Sequence, residues 1–125
     1  MARKKSPHLT DAELRLMEVL WDKGPLTVAG VAEEISAQSP LAYSTVLTTL
    51  RILENKGFVK HSKEGRAFVY RAVVGREKAQ AKALTHILSR FFANSPEQLL
   101  LNLVQSRKIS AKELDRLRKR IEEEQ

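Results

Sequence analysis

The amino-acid sequence predicts a mainly α-helical fold with one small β-hairpin. Helix starts with the capping-box spacing stand near both ends of the chain, at Thr10 with Glu13 and at Ser110 with Glu113. Apolar residues recur at helical spacing through most of the chain between them, whereas strand-like composition is confined to residues 58–72. The 125 residues, 42% hydrophobic and 30% charged, suffice for one ordinary domain or two small units.

The first two helices are predicted from their caps and apolar stripes. The first begins after Thr10 and ends at Gly24-Pro25, because glycine and proline stop a helix. The second is short and begins after Thr27, a suitable N-cap residue. The residues expected to face the core are Leu14, Met17 and Trp21 in the first helix and Val28, Val31, Ala32 and Ile35 in the second.

The third helix, expected to begin between residues 40 and 44 and to end at Lys56, has an unusual outer surface. A solvent-facing helix surface usually carries Glu and Lys, but this one carries short hydroxyls, an arginine and an asparagine, which can reach phosphates and base edges in a major groove. We therefore predict base or nearby phosphate contacts for Ser44, Thr45 and Thr48, and a phosphate contact for Arg51. The apolar stripe consists of Val46, Leu50 and Leu53, and the opposite face of Ser44, Thr48, Arg51 and Asn55.

A basic hairpin is predicted to follow the third helix. Residues 58–62 and 67–72 have strand-like composition, and residues 63–66 have the composition of a turn. Three helices with a hairpin packed on them form the winged helix-turn-helix plan, which we assign to residues 1–74. Lys60, Lys63 and Arg66 are either solubilising charges on an exposed hairpin or contacts to the DNA backbone, and their position beside the third helix favours DNA.

Residues 75–125 are predicted to form a three-helix dimerisation domain. An alanine-rich helix comes first, Ser95-Pro96 starts a second helix, and Ser110 starts a third. Three amphipathic helices of this size cannot bury all their apolar surface alone, so we expect a second copy of the chain to cover it. The predicted interface residues are Leu84, Ile87, Leu88, Phe91, Leu99, Leu100, Leu103, Leu114, Leu117 and Ile121.

The charge balance favours a polyanionic partner. Lys and Arg total 22 against 15 acidic residues, which gives a net charge of +7, and residues 44–71 alone carry six basic and two acidic side chains. The basic arm Arg3-Lys4-Lys5 either contacts DNA or is simply solvated, and both alternatives remain open.

Other chemistries are excluded or find no support. The chain has no cysteine, which excludes disulfides, thiol catalysis and thiolate metal sites. His8, His61 and His86 are widely spaced, and no nucleophile–base pair or phosphate-binding glycine loop stands out, so we expect no metal, no cofactor and no enzymatic activity. No apolar run approaches the roughly 20 residues that cross a bilayer, and no signal-peptide pattern opens the chain, so we expect a cytoplasmic protein without membrane insertion.

Several short motifs occur along the chain in a characteristic order and spacing. They are Leu9-Thr10-Asp11-Ala12-Glu13 with Leu20-Trp21, Ser44-Thr45-Val46 with Leu50-Arg51, the run from Leu53 to Val59, and Gly65-Arg66 with Phe68-Val69-Tyr70. Together they resemble the penicillinase-repressor (BlaI/MecI-type) family of bacterial transcription factors. The resemblance covers nearly the whole chain and implies a homodimeric repressor with an N-terminal winged helix-turn-helix and a C-terminal dimerisation domain. It also implies binding to palindromic operators of resistance genes.

The resemblance further implies a route of induction. In inducible members of the family, a protease linked to a membrane sensor cuts the dimerisation domain after an asparagine and so releases the DNA. The matching bond in this chain joins Asn102 to Leu103, where the family pattern has phenylalanine in place of Leu103.

We therefore predict a sequence-specific transcriptional repressor that binds double-stranded, palindromic operator DNA as a homodimer. Two recognition helices on one face of the duplex require half-sites about 10 bp, or a multiple, apart. The alternative is a dimeric adaptor whose winged helix binds a protein, because a fold does not fix a function. Mobility shifts on genomic fragments at rising salt would separate the two, since an adaptor should leave no salt-resistant fragment.

Overall fold

The computed structural model describes residues 8–124, and most of these residues lie in six helices and three short strands. The basic arm Arg3-Lys4-Lys5, for which DNA contact was one of two alternatives, lies outside the described residues. In chain order the elements are α1 (Asp11–Lys23), β1 (Leu26–Thr27), α2 (Val28–Ser36), α3 (Tyr43–Asn55), β2 (Val59–Glu64), β3 (Ala67–Ala72), α4 (Arg76–Phe91), α5 (Pro96–Gln105) and α6 (Ala111–Glu123).

The helices begin at the predicted capping residues. The Thr10 hydroxyl accepts a hydrogen bond from the Glu13 amide at 3.2 Å, and the Glu13 carboxylate accepts one from the Thr10 amide at 2.8 Å, so α1 starts with a complete capping box. Ser110 and Glu113 form the same pair of bonds at the start of α6. The Thr27 hydroxyl caps α2. Local sequence therefore determines where these helices begin.

The core of the N-terminal unit is built by α1, α2, α3 and the sheet. The predicted apolar stripes of α2 and α3 are confirmed, because nearly all of their residues are buried and Ala32 is half-buried. Gly57, at a φ of 85°, ends the third helix and turns the chain so that Phe58 enters the same core. The buried residues of the two stripes are Val28, Val31 and Ile35, and Val46, Leu50 and Leu53.

The inner face of α1 differs from the prediction. Met17 is fully buried, as expected, but its buried neighbours are Leu16 and Leu20, while Leu14 is 37% exposed and Trp21 is half-buried. Trp21 instead donates its indole N–H to the carbonyl oxygen of Val74 at 2.9 Å. The apolar residues of α1 cover more than one face, and the packing of α2 and α3 decides which face becomes the core. Leu14 and Trp21 help to line a cavity of about 270 Å³ in the N-terminal unit.

The sheet has three strands rather than the predicted two. The missed strand, β1, has two residues, which pair antiparallel with β3 in the order β1-β3-β2. A two-residue strand leaves no periodic signal, and its pairing depends on the tertiary fold. The hairpin turn is also shorter than predicted and consists of Gly65 and Arg66, with Gly65 at a φ of 63°. A positive φ at the first turn position is what a two-residue type II′ hairpin requires.

A buried ion pair joins the start of α1 to the end of α3. Lys56 Nζ lies 2.7 Å from Glu13 Oε1, and these side chains are 11% and 5% exposed. Lys56 also donates to the carbonyl oxygen of His8 at 3.0 Å. Burial raises the pKa of Glu13, but the hydrogen bond and charge of Lys56 and the Thr10 amide outweigh that effect and hold the pKa below its ordinary value of 4.5. Glu13 thus serves as both a capping residue and a tertiary ion-pair partner.

The chain forms two compact units that divide inside α4, between Ala83 and Leu84. The first unit contains the three N-terminal helices, the sheet and the start of α4. The second contains the end of α4 with α5 and α6, and none of its described residues, 84–124, is buried. The described residues of this unit therefore form no core of their own. Within residues 8–124, no helix is both long and apolar enough to span a bilayer.

Candidate nucleic-acid interface

The outer face of α3 is exposed to solvent along its length. Ser44, Thr45, Thr48 and Arg51, the four α3 residues predicted to contact DNA, are all exposed. Tyr43, the first residue of the helix, is 56% exposed and extends this surface. Sequence reasoning missed Tyr43 because a single aromatic residue at a helix start has no distinctive pattern. We call these five residues the α3 outer face.

The first turn of α3 lacks the side-chain cap that four other helices have. Its N-cap residue is Ala42, which makes no side-chain hydrogen bond to the helix. Backbone N–H groups at a helix start carry partial positive charge and bind phosphate groups readily. A DNA phosphate could therefore supply the acceptor that Ala42 does not. The four side-chain caps are Thr10, Thr27, Ser95 and Ser110.

The wing, residues 59–72, carries its basic side chains on two faces and at its tip. Lys60 lies directly opposite Arg71 in the strand register, and strand alternation places Lys63 on the other face of the hairpin. Arg66 lies in the turn, and all four side chains are exposed. Like charges directly opposite each other destabilise an antiparallel pair, and a bound polyanion would remove that repulsion. The structure thus places Lys60 beside Arg71 and on the opposite face from Lys63. Sequence reasoning missed Arg71 because cross-strand partners depend on strand register.

A polar cluster connects α3 to the wing. His61 Nδ1 in β2 lies 2.7 and 2.9 Å from the two carboxylate oxygens of Glu54 in α3. Burial raises the pKa of the Tyr70 hydroxyl, the Glu54 carboxylate raises it further, and the Arg51 guanidinium opposes the shift. Arg51 and Glu54 therefore both act on the hydroxyl of Tyr70. We call Arg51, Glu54, His61 and Tyr70 the α3–wing cluster.

Lys56 does not contribute its charge to this surface. The sequence count of six basic side chains in residues 44–71 includes Lys56, but its side chain is only 11% exposed and its ammonium group is paired with Glu13. The basic side chains that remain available to DNA in this segment are Arg51, Lys60, Lys63, Arg66 and Arg71.

The predicted dimer-interface residues all lie on helices of the second unit. None is buried, and Phe91 is the most exposed of them, at 70%. Leu88, Leu99, Leu103 and Leu114 are half-buried. A single chain therefore leaves a large apolar surface in contact with water, which favours coverage by another protein surface. The exposed members are Leu84, Ile87, Phe91, Leu100, Leu117 and Ile121.

The bond between Asn102 and Leu103 lies inside α5. Asn102 is exposed and Leu103 is half-buried. Their carbonyl oxygens accept hydrogen bonds from the amides of Ser106 at 2.9 Å and Lys108 at 3.0 Å. This bond is therefore held in helical conformation.

No metal site is apparent in the part of the chain that the structure describes. Among residues 8–124, no three histidine, aspartate or glutamate side chains are grouped so that they could hold a metal ion.

Comparison with known proteins identifies the family. The sequence profile of the penicillinase repressor family matches residues 9–123. The penicillinase repressor of Bacillus licheniformis is 33% identical over 121 residues, which cover 96% of this chain and 94% of that protein. The solution structure of the DNA-binding domain of the repressor BlaI is 37% identical, with a TM-score of 0.53, and covers 61% of this chain and 93% of that domain.

A second solved structure shows a relative bound to DNA. It is the solution structure of Bacillus licheniformis BlaI, in monomeric form, in complex with the blaP half-operator. It is 34% identical, with a TM-score of 0.50, and the match covers 62% of this chain and 93% of that one. These likenesses confirm the predicted winged helix-turn-helix fold. The chain belongs to the penicillinase repressor family, whose members are transcriptional repressors and not enzymes.

Proposed function

We propose that this protein represses transcription by binding double-stranded, palindromic operator DNA as a homodimer. The observation that carries the proposal is the α3 outer face, where exposed hydroxyls and Arg51 surround a helix start without a side-chain cap. The side chains of this surface can donate hydrogen bonds to phosphates and base edges, and they take no part in the protein core. The half-operator complex of the B. licheniformis relative supports the same use of this fold.

The wing supplies the second set of DNA contacts. Lys60, Lys63 and Arg66 are exposed, and Lys60 faces Arg71 across the hairpin. These side chains would neutralise phosphates and release condensed counterions, so the affinity should fall steeply as salt rises. Contacts of this kind set the register of the protein on the duplex, while the α3 outer face reads the sequence.

The homodimer is proposed because the second unit has no buried residue among those described. A second copy would bring the same apolar helices to a shared interface, as closed two-fold symmetry requires. Two recognition helices related by that axis match a palindrome, and occupancy of the operator would block the promoter. The names of the relatives make antibiotic-resistance genes the candidate targets.

The first test separates phosphate contacts from sequence reading. We expect Arg51→Ala to weaken binding about tenfold to a selected duplex and to a random duplex alike, because it removes a charged contact to phosphate. We expect Thr48→Ala to reduce the ratio of selected to random affinity about fivefold, because it removes a base contact. Fluorescence anisotropy at fixed salt measures both affinities, on a duplex selected from a randomised library by the unmodified protein.

Lys23→Ala is the matched control for loss of a positive charge. Lys23 lies in α1, 3.9 Å from Glu34 on the surface, and its loss should change neither affinity. If Thr48→Ala also reduced the two affinities by the same factor, the division of roles between Thr48 and Arg51 would be wrong.

We also propose that cleavage at Asn102–Leu103, by a protease coupled to a membrane sensor, relieves repression. Because this bond is helical, a protease can reach it only when α5 opens locally. Ser95 caps α5 through a hydrogen bond from the Gln98 amide at 3.1 Å, so Ser95→Ala should raise the opened population about fivefold and speed cleavage equally.

Mass spectrometry of the fragments formed when the protease is co-expressed identifies the cleavage site, and a time course gives the rate of cleavage. Ser110→Ala, which removes the equivalent cap from α6, is the control and should leave the rate at this bond unchanged. Derepression with intact protein would contradict the proteolytic route.

A further inference from the structure

Within residues 8–124, a histidine–carboxylate contact between His61 and Glu54 joins the wing to α3. Its Nδ1 lies 2.7 and 2.9 Å from the two oxygens of Glu54. An ionised carboxylate can only accept hydrogen bonds, so this geometry requires the proton on Nδ1 and assigns the donor role to His61. The two side chains are 37% and 31% exposed, so water and protons reach the contact.

The surroundings of the His61 ring are fixed by the fold. It forms a T-shaped pair with the ring of Phe68 at a centroid distance of 5.1 Å, and the ring of Tyr70 lies at 5.2 Å. Of the ionisable groups around it, Glu54 from α3 contacts Nδ1, Tyr70 from β3 lies beside the ring, and Lys63 lies on the same face of β2. Arg51 and Tyr43 from α3 act on the neighbouring Tyr70 hydroxyl. Glu54 is the one carboxylate in this set.

The charge on His61 decides whether Glu54 is neutralised. With His61 neutral, the Glu54 carboxylate adds a negative charge to the α3–wing cluster, on the surface that meets DNA phosphates under the proposed function. With His61 protonated, the pair is neutral, and the phosphates meet Arg51 and Lys63 without that repulsion. Histidine is the side chain that ordinarily changes charge between pH 5 and 8.

We infer that the Glu54–His61 pair makes DNA binding depend on protons, so that one proton taken up by His61 strengthens binding to the duplex. The inference rests on the proposed DNA-binding function. By thermodynamic linkage the effect is reciprocal: if protonation of His61 strengthens DNA binding, bound DNA strengthens proton binding at His61 by the same factor. For a partly exposed pair, the expected gain is about threefold in affinity between pH 8 and pH 6.

The test measures the dissociation constant for the library-selected duplex at pH 6 and pH 8, at one salt concentration. The unmodified protein should bind about threefold more tightly at pH 6. His61→Gln should bind with the same affinity at both pH values, because the titrating group is gone. Glu54→Gln should bind at pH 8 at least as tightly as the unmodified protein, because the repelling carboxylate is gone.

The Glu54→Gln result separates proton coupling from a merely structural role, since a structural contact would weaken binding when either partner is replaced. His86→Gln is the matched control in the second unit and should keep the full pH dependence. Thermal melts verify that each variant is folded. If His61→Gln does not fold, the isosteric variant Glu54→Gln still provides a test. Equal pH dependence in His61→Gln and the unmodified protein would overturn the inference alone, whereas no binding to DNA at either pH would overturn the proposed function with it.

Discussion

Replacement of Lys56 by methionine should lower the free energy of unfolding by about 3 kcal/mol at pH 7. Methionine retains the unbranched apolar chain but removes the ammonium group, so Glu13 is left buried with its main charged partner gone. Glu13 is 5% exposed and holds the capping box of α1, which means that the carboxylate cannot turn to water without loss of the helix start. Urea denaturation followed by circular dichroism measures the change as a shift of the midpoint at constant slope.

The pH dependence of this loss provides an internal check. The pKa of Glu13 is held below 4.5 in the folded protein, so its contribution to stability is present above that value and is lost as the pH falls through the lowered pKa. The difference between Lys56→Met and the unmodified protein should therefore be largest at neutral pH and shrink in acid. An equal difference at pH 3 and pH 7 would show that packing, not charge, explains the loss.

Two further variants serve as a rescue and as a control for the stability loss in Lys56→Met. The double variant Glu13→Gln, Lys56→Met should recover most of the stability, because glutamine can still serve in a capping box and no buried charge remains. Lys23→Ala removes one partner of an exposed pair, with side chains 56% and 41% exposed, and should change the stability very little.

Replacement of Phe91 by aspartate should convert the proposed dimer to a monomer and weaken binding to a duplex with two half-sites about a hundredfold. Phe91 is 70% exposed in the single chain, so a charge at this position does not disturb a core of the monomer. In a two-fold interface each substitution acts twice, and a carboxylate buried against an apolar partner surface is costly. Analytical ultracentrifugation measures the oligomeric state, and anisotropy on duplexes with one and two half-sites measures the affinity.

The half-site duplex distinguishes loss of pairing from loss of DNA recognition. Phe91→Asp should bind one half-site as well as the unmodified protein does, because the α3 outer face is unchanged. Gln105→Asp introduces the same charge at an exposed polar position of α5 and should leave the proposed dimer intact. A Phe91→Asp protein that stays dimeric would place the interface elsewhere.

Local signals in the sequence predicted the helices well because caps act over only three or four residues. The capping boxes of Thr10 and Ser110 and the buried stripe of α3 all appear where the sequence places them. The failures are of another kind. The sequence did not predict β1, because its two residues form a strand only through pairing with β3. It also placed Leu14 rather than Leu16 on the inner face of α1, because several faces of that helix are apolar.

Some features of the candidate DNA surface likewise follow from local sequence, whereas others depend on tertiary structure. By itself, the sequence determined the helical periodicity that puts Ser44, Thr48 and Arg51 on one face, since that spacing follows from 3.6 residues per turn. Only the tertiary structure decided that Lys56 forms an ion pair with Glu13, that Lys60 lies opposite Arg71, and that His61 contacts Glu54. Each pair joins residues of two different elements, namely two helices, two strands, or a helix and a strand. Their charges act over a few ångströms of space, and spacing along the sequence does not encode that distance.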